Sequence, residues 1–321
     1  MKGTYWLAWR QQRALILAGG IALLICAAWV AWRRSEMMAV IHDHHLVICK
    51  GWDASECPRT DTDLAERVLR DNTDGIRALG ALSAALPVII GVFWGAPLIG
   101  RELESGTAKL ALTQGVGIRA WLGSRFALAA GSTAAGAAVL AALVAWWWAP
   151  IANMLDGLYW HDGFLFNATG PAAVACALFG LAVGTAAGLL FRRTMAAMGC
   201  TLAVVVGIRV LLNSVRSDWI SPTRRVTPGM TPRTPVGSAW STGQFGYLDR
   251  SGREYPIDRY CQFSGAELKR CMADHGFVAR YHKVYPSGDF WAFQYIETAI
   301  YLVAAVALVV AVCLALRRRL V

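Results

Sequence analysis

Few residues in this 321-residue chain have the types and spacing that catalysis requires. No segment reads G-x-x-x-x-G-K-[ST], so the chain lacks the phosphate-binding loop of P-loop ATPases. Neither a G-x-S-x-G nucleophile elbow nor an H-E-x-x-H zinc motif is present. His42, Asp43, His44 and His45 form the one metal-like cluster, but adjacent residues of a regular element point in different directions. We therefore predict no enzymatic activity and no metal site in this chain.

Two charged residues, Arg209 and Glu297, lie inside apolar segments. Charge inside a membrane is costly, so such residues are normally paired or functional. At 1.5 Å per residue, both lie roughly 7–9 Å below the ends of their segments. Equal depth predicts an ion pair between Arg209 and Glu297. The alternative is that one of them lines a transport path.

The composition indicates an integral membrane protein. Hydrophobic residues make up 56% of the chain and the mean hydropathy is +0.42, whereas soluble domains contain about 45–50% apolar residues. The excess is concentrated in runs that reach the roughly 20 residues needed to cross a bilayer. The net charge of +10 is compatible with basic span ends, and no recognition motif for nucleic acid accompanies it. We predict an all-α fold with six transmembrane helices.

The predicted order begins with an interfacial helix that is aromatic and basic, and the first apolar run is too long for a signal-peptide core. Asp63 and Glu66 have the spacing of a capping box that opens a short helix through about Asn72. The predicted segments are an interfacial helix (1–13), span 1 (14–32), an extracellular segment (33–78), span 2 (79–100), a cytoplasmic loop (101–123), span 3 (124–148), a short extracellular loop (149–170), span 4 (171–191), span 5 (195–214), a second extracellular segment (215–290), span 6 (291–316) and a tail (317–321).

Basic residues of the termini and short loops fall on one side of this arrangement, and the short loop on the other side has none. The positive-inside rule therefore puts both termini and the 101–123 loop in the cytoplasm, in a multi-pass protein of the plasma membrane. These basic residues are Lys2, Arg10, Arg13, Arg101, Lys109, Arg119, Arg125, Arg192, Arg193, Arg317, Arg318 and Arg319.

Cysteines support this topology. Four of the eight lie in spans, and the other four lie in the two long segments that the topology puts outside. In that oxidising environment we predict the disulfides Cys49–Cys57 and Cys261–Cys271, with cross-segment pairings left open. The second segment also has the pattern of two short strands around a turn, near Phe245–Tyr255, and a capped helix that carries Cys271. The two segments are predicted to form a small disulfide-stapled extracellular cap.

Span 4 carries Gly180, Gly184 and Gly188 at four-residue spacing. Residues four apart lie on one face of a helix, so this face is smooth. Such a face predicts close packing against another helix.

Three motifs give the chain a family resemblance. They are Val92-Phe93-Trp94-Gly95-Ala96-Pro97 leading into Arg101-Glu102-x-Glu104-x-Gly106-Thr107 and on to Gln114, then Arg192-Arg193-Thr194, then Phe290-Trp291-x-Phe293-Gln294-x-x-Glu297. The arrangement resembles the membrane subunits of ABC exporters with six spans per subunit. Within that class it resembles a group of actinobacterial permeases of uncharacterised or antibiotic-related function.

The resemblance implies that the loop after span 2 contains a coupling helix that contacts a separate ATPase dimer. The residues implied in coupling are Arg101, Glu102, Glu104, Gly106, Thr107 and Gln114. ATP and magnesium would bind the ATPase, and this chain would hold no cofactor. A second permease subunit, in a homodimer, would complete a path that moves an apolar or amphipathic compound outward.

One alternative function remains open, and a second is disfavoured. A membrane sensor or scaffold would bind a ligand or a cell-wall component through the extracellular cap. An ion-coupled carrier would need acidic groups near mid-bilayer, and the sequence has none there.

Overall fold

The computed structural model describes residues 2–45, 62–105, 118–152, 158–228, 238–263 and 265–320. The helices are α1 (Lys2–Asp43), α2 (Thr62–Ile90), α3 (Ala96–Glu104), α4 (Ile118–Trp148), α5 (Gly163–Ala168), α6 (Gly170–Phe191), α7 (Thr194–Val215), α8 (Gly265–Asp274) and α9 (Phe290–Leu320). The strands are β1 (Thr223–Pro228), β2 (Trp240–Asp249), β3 (Glu254–Pro256) and β4 (Phe277–Tyr285). A π-helical turn (Gly91–Gly95) joins α2 to α3, and 3-10 turns occupy Ala149–Ile151, Arg216–Asp218 and Ser287–Asp289.

Within the described residues, six helical stretches are long and apolar enough to cross a membrane. They are Trp6–Asp43, Arg70–Glu104, Gly123–Ile151, Gly170–Phe191, Thr194–Asp218 and Ser287–Ala315. The prediction of six spans is thus confirmed, and the chain is a multi-pass membrane protein.

The first span is longer than the sequence predicted. Instead of an interfacial helix followed by a separate span, α1 is one helix of 42 residues. Its polar residues are accommodated within the helix: Arg33 Nη1 pairs with Glu36 Oε2 at 3.2 Å, one turn away. The Ser35 hydroxyl donates to the Trp32 carbonyl oxygen at 2.7 Å. Arg34 instead reaches α4, where its Nε donates to the Trp146 carbonyl oxygen at 3.1 Å. Because both arginines have partners, the basic pair Arg33-Arg34 does not end the helix.

The second span also begins earlier than predicted, since α2 runs without a break from Thr62 through Asn72. The buried Asn72 amide donates to the Val68 carbonyl oxygen at 2.8 Å, and Asn72 Oδ1 accepts from Trp147 Nε1 at 3.1 Å. With both ends of its side chain bonded, Asn72 is compatible with a helix interior. Pro87 stays inside α2, and the π-helical turn begins four residues after it.

Helix α6 is the centre of the bundle. In the apolar 18-residue stretch of α6, 72% of the residues are buried inside the protein, whereas the corresponding share in the other five spans is 6–39%. It contacts α2, α3, α4, α7 and α9. The other spans therefore expose apolar faces that suit lipid, while α6 is largely enclosed by protein.

The glycine face of α6 lies directly against the backbone of the second span. A Cβ atom at Gly180 would overlap the Pro87 carbonyl oxygen, and one at Gly184 would overlap the Gly91 carbonyl oxygen. A Cβ at Gly188 would lie only 2.6 Å from the Ala96 carbonyl oxygen. Backbone approaches backbone here, so no side chain larger than hydrogen fits at these positions.

The all-α prediction is wrong for the segment between α7 and α9, which forms a four-stranded antiparallel sheet of order β1-β4-β2-β3. The sequence indicated the turn between β2 and β3, but the paired residues of β1 and β4 are more than 50 positions apart, which local patterns do not reveal. We call residues 223–285, which include α8, the sheet domain. Its core includes Tyr247, Met272 and Phe277.

In the sheet domain, the sulfur atoms of Cys261 and Cys271 are bonded, with a Cα–Cα distance of 5.6 Å. The bond ties α8 to the loop after β3. The other predicted pair, Cys49 and Cys57, falls in residues 46–61, outside the described residues. In the described residues the sheet is built from the segment after α7 alone. The described ends of the first long segment extend α1 and α2.

We expect Gly184→Ala to lower the free energy of unfolding of the full chain by about 1–3 kcal/mol, because the new methyl group meets a backbone oxygen that cannot rotate away. Gly199→Ala on α7 is the matched control, since a Cβ there has nothing within 4 Å. The control should be neutral or stabilising, because alanine favours helix over glycine. Unfolding in detergent, followed by circular dichroism, measures both. Equal effects of the two substitutions would contradict the close packing.

Candidate functional site

A chain of polar contacts crosses one end of the helix bundle, where α3 ends and α7 begins; we call this the loop end. The Trp94 indole N–H donates to Gln12 Oε1 at 3.1 Å, and Gln12 Nε2 donates to the Arg125 carbonyl oxygen at 3.3 Å. The Arg125 guanidinium donates to the Glu102 carboxylate. These residues belong to the π-helical turn, α1, α4 and α3, so the contacts connect four elements.

Glu104 makes a second connection at the loop end. Its Oε2 accepts hydrogen bonds from the Thr194 backbone N–H at 3.0 Å and from the Thr194 hydroxyl at 2.7 Å. Thr194 is the first residue of α7, where backbone N–H groups lack partners inside the helix and the helix dipole favours negative charge. Glu104 therefore acts as a cap supplied by another helix. Two of the sequence motifs, Arg101–Thr107 and Arg192-Arg193-Thr194, meet in this contact.

The chain turn before Thr194 is compact. Arg192 has a φ of 52°, the left-handed conformation that often ends a helix, and its N–H donates to the Gly188 carbonyl oxygen at 3.2 Å. Arg193 is extended and precedes α7 directly. This turn holds Thr194 next to Glu104.

We call Gln12, Trp94, Glu102, Glu104, Arg125 and Thr194 the loop clamp. The clamp holds both chain ends from which the segment 106–117 emerges. Arg125, only 6% exposed, lies in the first turns of α4, and Glu102 lies in the last turn of α3. Arg101 is exposed next to the clamp. Three predicted coupling residues, Gly106, Thr107 and Gln114, lie outside the described residues.

At the opposite end, where α7 ends and α9 begins, the predicted pairing of Arg209 with Glu297 is wrong. We call this the sheet end. Arg216 Nη2 lies 3.0 Å from Glu297 Oε2, and these residues are only 4% and 1% exposed. Arg209 instead donates to the Ala84 carbonyl oxygen on α2. Arg216 falls in the predicted extracellular segment, outside the predicted spans, but the 3-10 turn after α7 folds it back against α9.

The Arg216 side chain is also held by α5. Its Nη2 donates to Asn167 Oδ1 at 3.1 Å, and its guanidinium lies 3.9 Å from the centroid of the Phe166 ring. An ion pair that is this deeply buried needs such additional partners, because desolvation of both charges is expensive.

Gln294, another residue of the third motif, joins α9 to the turn between α5 and α6. Its Nε2 donates to the Phe166 carbonyl oxygen at 2.9 Å, and its Oε1 accepts from the Ala172 N–H at 3.0 Å. Ala172 lies in the first turn of α6, so this bond satisfies one of the N–H groups left free at a helix start. Gly170, with a φ of 70°, permits the approach, because a Cβ there would be 2.6 Å from Gln294 Oε1.

An aromatic cluster connects the sheet domain to the spans. Phe293, fully buried, contacts the rings of Trp160, Trp240 and Tyr285 at centroid distances of 5.3–6.1 Å. Trp160 Nε1 also donates to the Ser238 carbonyl oxygen at 2.9 Å. The motif Phe290–Glu297 thus fixes α5, α6 and the sheet domain to the start of α9.

His161 lies at the edge of this cluster, outside the spans, stacked on Tyr159 with ring centroids 5.4 Å apart. Burial lowers the pKa of His161, and the neighbouring Asp162 opposes this shift. Burial raises the pKa of Asp162. The fold therefore favours neutral His161 more than the unfolded chain does.

Metal ligation has little support in the described residues. His42 and Asp43 are exposed at the end of α1, with 3.8 Å between His42 Nδ1 and Asp43 Oδ1. Cys261, Cys271 and His275 have ligand atoms within 4.8 Å of one another, but the two sulfur atoms are bonded together. A disulfide does not supply the thiolates that metals bind.

Sequence reasoning did not identify Gln12, Arg216 or the aromatic residues of the cluster as parts of a site. A polar glutamine beside an apolar span was the only available signal for Gln12. Nothing local indicated which distant residue it contacts.

A family model described as ABC-2 membrane transporter related matches residues 20–216, which is more than half of the chain. The match includes the π-helical turn, Glu102, Glu104 and the turn into α7, and it ends before the sheet domain. Neither the curated proteins nor the solved structures contain a match to this chain.

We expect Arg216→Gln to lower the free energy of unfolding by about 3–5 kcal/mol, because it leaves the Glu297 carboxylate buried without a counter-charge. The double variant Arg216→Gln with Glu297→Gln should recover most of this loss. Combining Arg209→Gln with Glu297→Gln should show much weaker coupling, since these residues form no ion pair. Chemical unfolding in detergent, analysed as double-mutant cycles, measures the coupling. Coupling of Glu297 to Arg209 instead of Arg216 would overturn the assignment.

The lowered pKa of His161 predicts that acid destabilises the aromatic cluster that connects the sheet domain to the spans. The unfolded histidine binds a proton near pH 6.5, whereas the folded one binds it only at lower pH. Stability present above pH 6.5 is therefore lost as the pH falls. The unfolding temperature should drop less for His161→Gln than for the unmodified chain between pH 7.5 and 5.5. Equal drops would show that other groups cause the acid sensitivity.

Proposed function

Since the chain belongs to the ABC-2 membrane transporter related family, we propose that it is the permease subunit of an ATP-driven exporter. A separate ATPase subunit would supply the energy, and the segment after α3 would receive its movement. The family supports a transporter permease that works with an ABC ATPase. The direction of transport, the coupling site and the substrate are parts of our proposal.

The loop clamp is the observation that carries this proposal. The segment 106–117 emerges between Glu102 and Arg125, which are joined by an ion pair with Arg125 almost completely buried. Glu102, Arg125, Glu104 and Gln12 connect this segment to α1, α3, α4 and α7. A push on the segment would therefore move four helices together. This is the arrangement that rigid-body tilting of spans requires.

The coupling residues divide into two roles. Glu102 and Glu104 would act as positioning residues, because their carboxylates are engaged within the chain. Arg101 is exposed beside them, and Arg101, Gly106, Thr107 and Gln114 would contact the ATPase.

The remaining parts of the proposal rest on the charge distribution, the absent phosphate loop and the resemblance to ABC exporters. ATP and magnesium would bind an ATPase dimer, while this chain would hold neither. The basic termini and the loop end would face the cytoplasm, and the sheet domain would lie outside the plasma membrane. Two copies of the chain would enclose the path for an apolar or amphipathic compound.

A second candidate is a sensor or scaffold whose sheet domain binds a ligand. The attachment of this domain to Phe293 and Trp160 favours it, because Phe293 lies on α9 next to Gln294, which bonds to the start of α6. Such a protein would not need an ATPase at the loop end.

Copurification distinguishes the two functions. The tagged chain would be coexpressed with each ABC ATPase encoded in the same genome, and we expect one of them to copurify. Arg101→Glu should abolish copurification, or weaken it by about tenfold or more, because the reversed charge would turn the proposed attraction between Arg101 and the ATPase into repulsion. Arg253→Glu, an exposed reversal in the sheet domain, is the control and should have no effect. An unfolded Arg101→Glu protein is not expected, since this side chain is exposed.

The positioning role has its own variants. Glu102→Lys should weaken ATPase stimulation, and the exchange Glu102→Arg with Arg125→Glu should restore part of it. Absence of any ATPase partner for the unmodified chain would reject the exporter and favour the sensor.

A further inference from the structure

Arg209 is a cation in the membrane-spanning part of α7, and no acidic side chain in the described part of the chain forms an ion pair with it. Among the described residues, its one hydrogen bond goes from Nη1 to the Ala84 carbonyl oxygen on α2, and no carboxylate lies within ion-pair distance of it. A backbone carbonyl is neutral, so the positive charge stays uncompensated. An unpaired charge inside a membrane is costly and indicates a function.

The neighbouring carboxylates are engaged by other residues. Glu297 lies close enough to influence Arg209, but its carboxylate is already paired with Arg216. Glu102 and Glu104 belong to the loop end, where Arg125 and Thr194 engage them. Among the described ion pairs, Glu297 is therefore engaged by Arg216 and not by Arg209.

The Arg209 side chain is accessible from the side of the bundle. It is half-buried, and its nitrogen atoms are not among the fully buried, unpaired ones. A guanidinium has five N–H groups, so the bond to Ala84 leaves others available. Exposed residues surround the position on both helices, Ala81 and Ala85 on α2 and Val206 and Val210 on α7.

The depth and surroundings of Arg209 suit an amphiphile. Six residues separate it from the end of α7 at Val215, which corresponds to about 9 Å along the helix. Along α7, away from its end at Val215 and towards the middle of the span, the apolar side chains of Leu202 and Val206 are 49% and 43% exposed. An acyl or alkyl chain can lie along these residues while its head group reaches Arg209.

We propose that Arg209 binds the anionic head group of an amphipathic compound in the crease between α2 and α7, and that the compound is a phosphate or carboxylate with an alkyl tail. A guanidinium forms paired hydrogen bonds with such groups, which lysine does less well. This inference rests on the proposed export function and specifies its substrate class. Lateral access also lets the compound enter from the bilayer.

Binding to the full chain, purified without any ATPase, tests this proposal. Native mass spectrometry in a neutral detergent would compare dodecyl phosphate, dodecanol and inorganic phosphate. We expect dodecyl phosphate to bind most tightly, and Arg209→Gln to weaken its binding about tenfold or more, as loss of charge-assisted hydrogen bonds predicts. Arg209→Lys should retain an intermediate affinity. Arg192→Gln, an exposed arginine at the loop end, is the control and should bind like the unmodified chain.

Each alternative result is decisive. Unchanged binding in Arg209→Gln would overturn the assignment, as would equal losses in Arg209→Gln and Arg192→Gln. Equal binding of inorganic phosphate would replace the amphiphile with a simple anion, and equal binding of dodecanol would remove the role of charge. If Arg209→Gln does not fold, Arg209→Lys decides: binding equal to that of the unmodified chain rejects paired recognition by arginine. Because no ATPase is present, these results do not depend on coupling.

Discussion

The close approach of α6 to the second span is the constraint on which the rest of the structure depends. Gly180, Gly184 and Gly188 allow the two backbones to touch, so that carbonyl oxygens of Pro87, Gly91 and Ala96 occupy the space where side chains would be. In lipid, helices gain little from burying apolar surface against each other, and close van der Waals packing has to replace that gain. The π-helical turn lies within this contact, so the backbone irregularity is enclosed by protein.

This contact also orients the loop end of the bundle. The π-helical turn fixes the direction of Trp94, and α3 continues from it to Glu102 and Glu104. Arg125 and Thr194 are then within reach from α4 and α7. The arrangement of the loop clamp is therefore a consequence of helix packing deep in the membrane.

Polar side chains secure the bundle at both ends. The loop clamp joins α1, α3, α4 and α7, and Gln294 with Glu297 joins α9 to α5, α6 and the turn after α7. In each case a charged or amide group satisfies backbone or side-chain groups that would be costly to leave unpaired in an apolar environment. The two ends are connected through α6, so movement at one end can reach the sheet domain at the other.

The sequence by itself determined the six spans, because a bilayer demands long apolar runs and these are visible residue by residue. It also determined the glycine face of α6, since four-residue spacing defines one side of a helix. Only the tertiary structure decided that Glu297 pairs with Arg216, that Arg209 reaches Ala84 and that four distant strands form a sheet. Depth along a helix can be counted from sequence, but the rotation of one helix about its neighbour and the path of a turn cannot. Those choices depend on contacts between residues far apart in the chain.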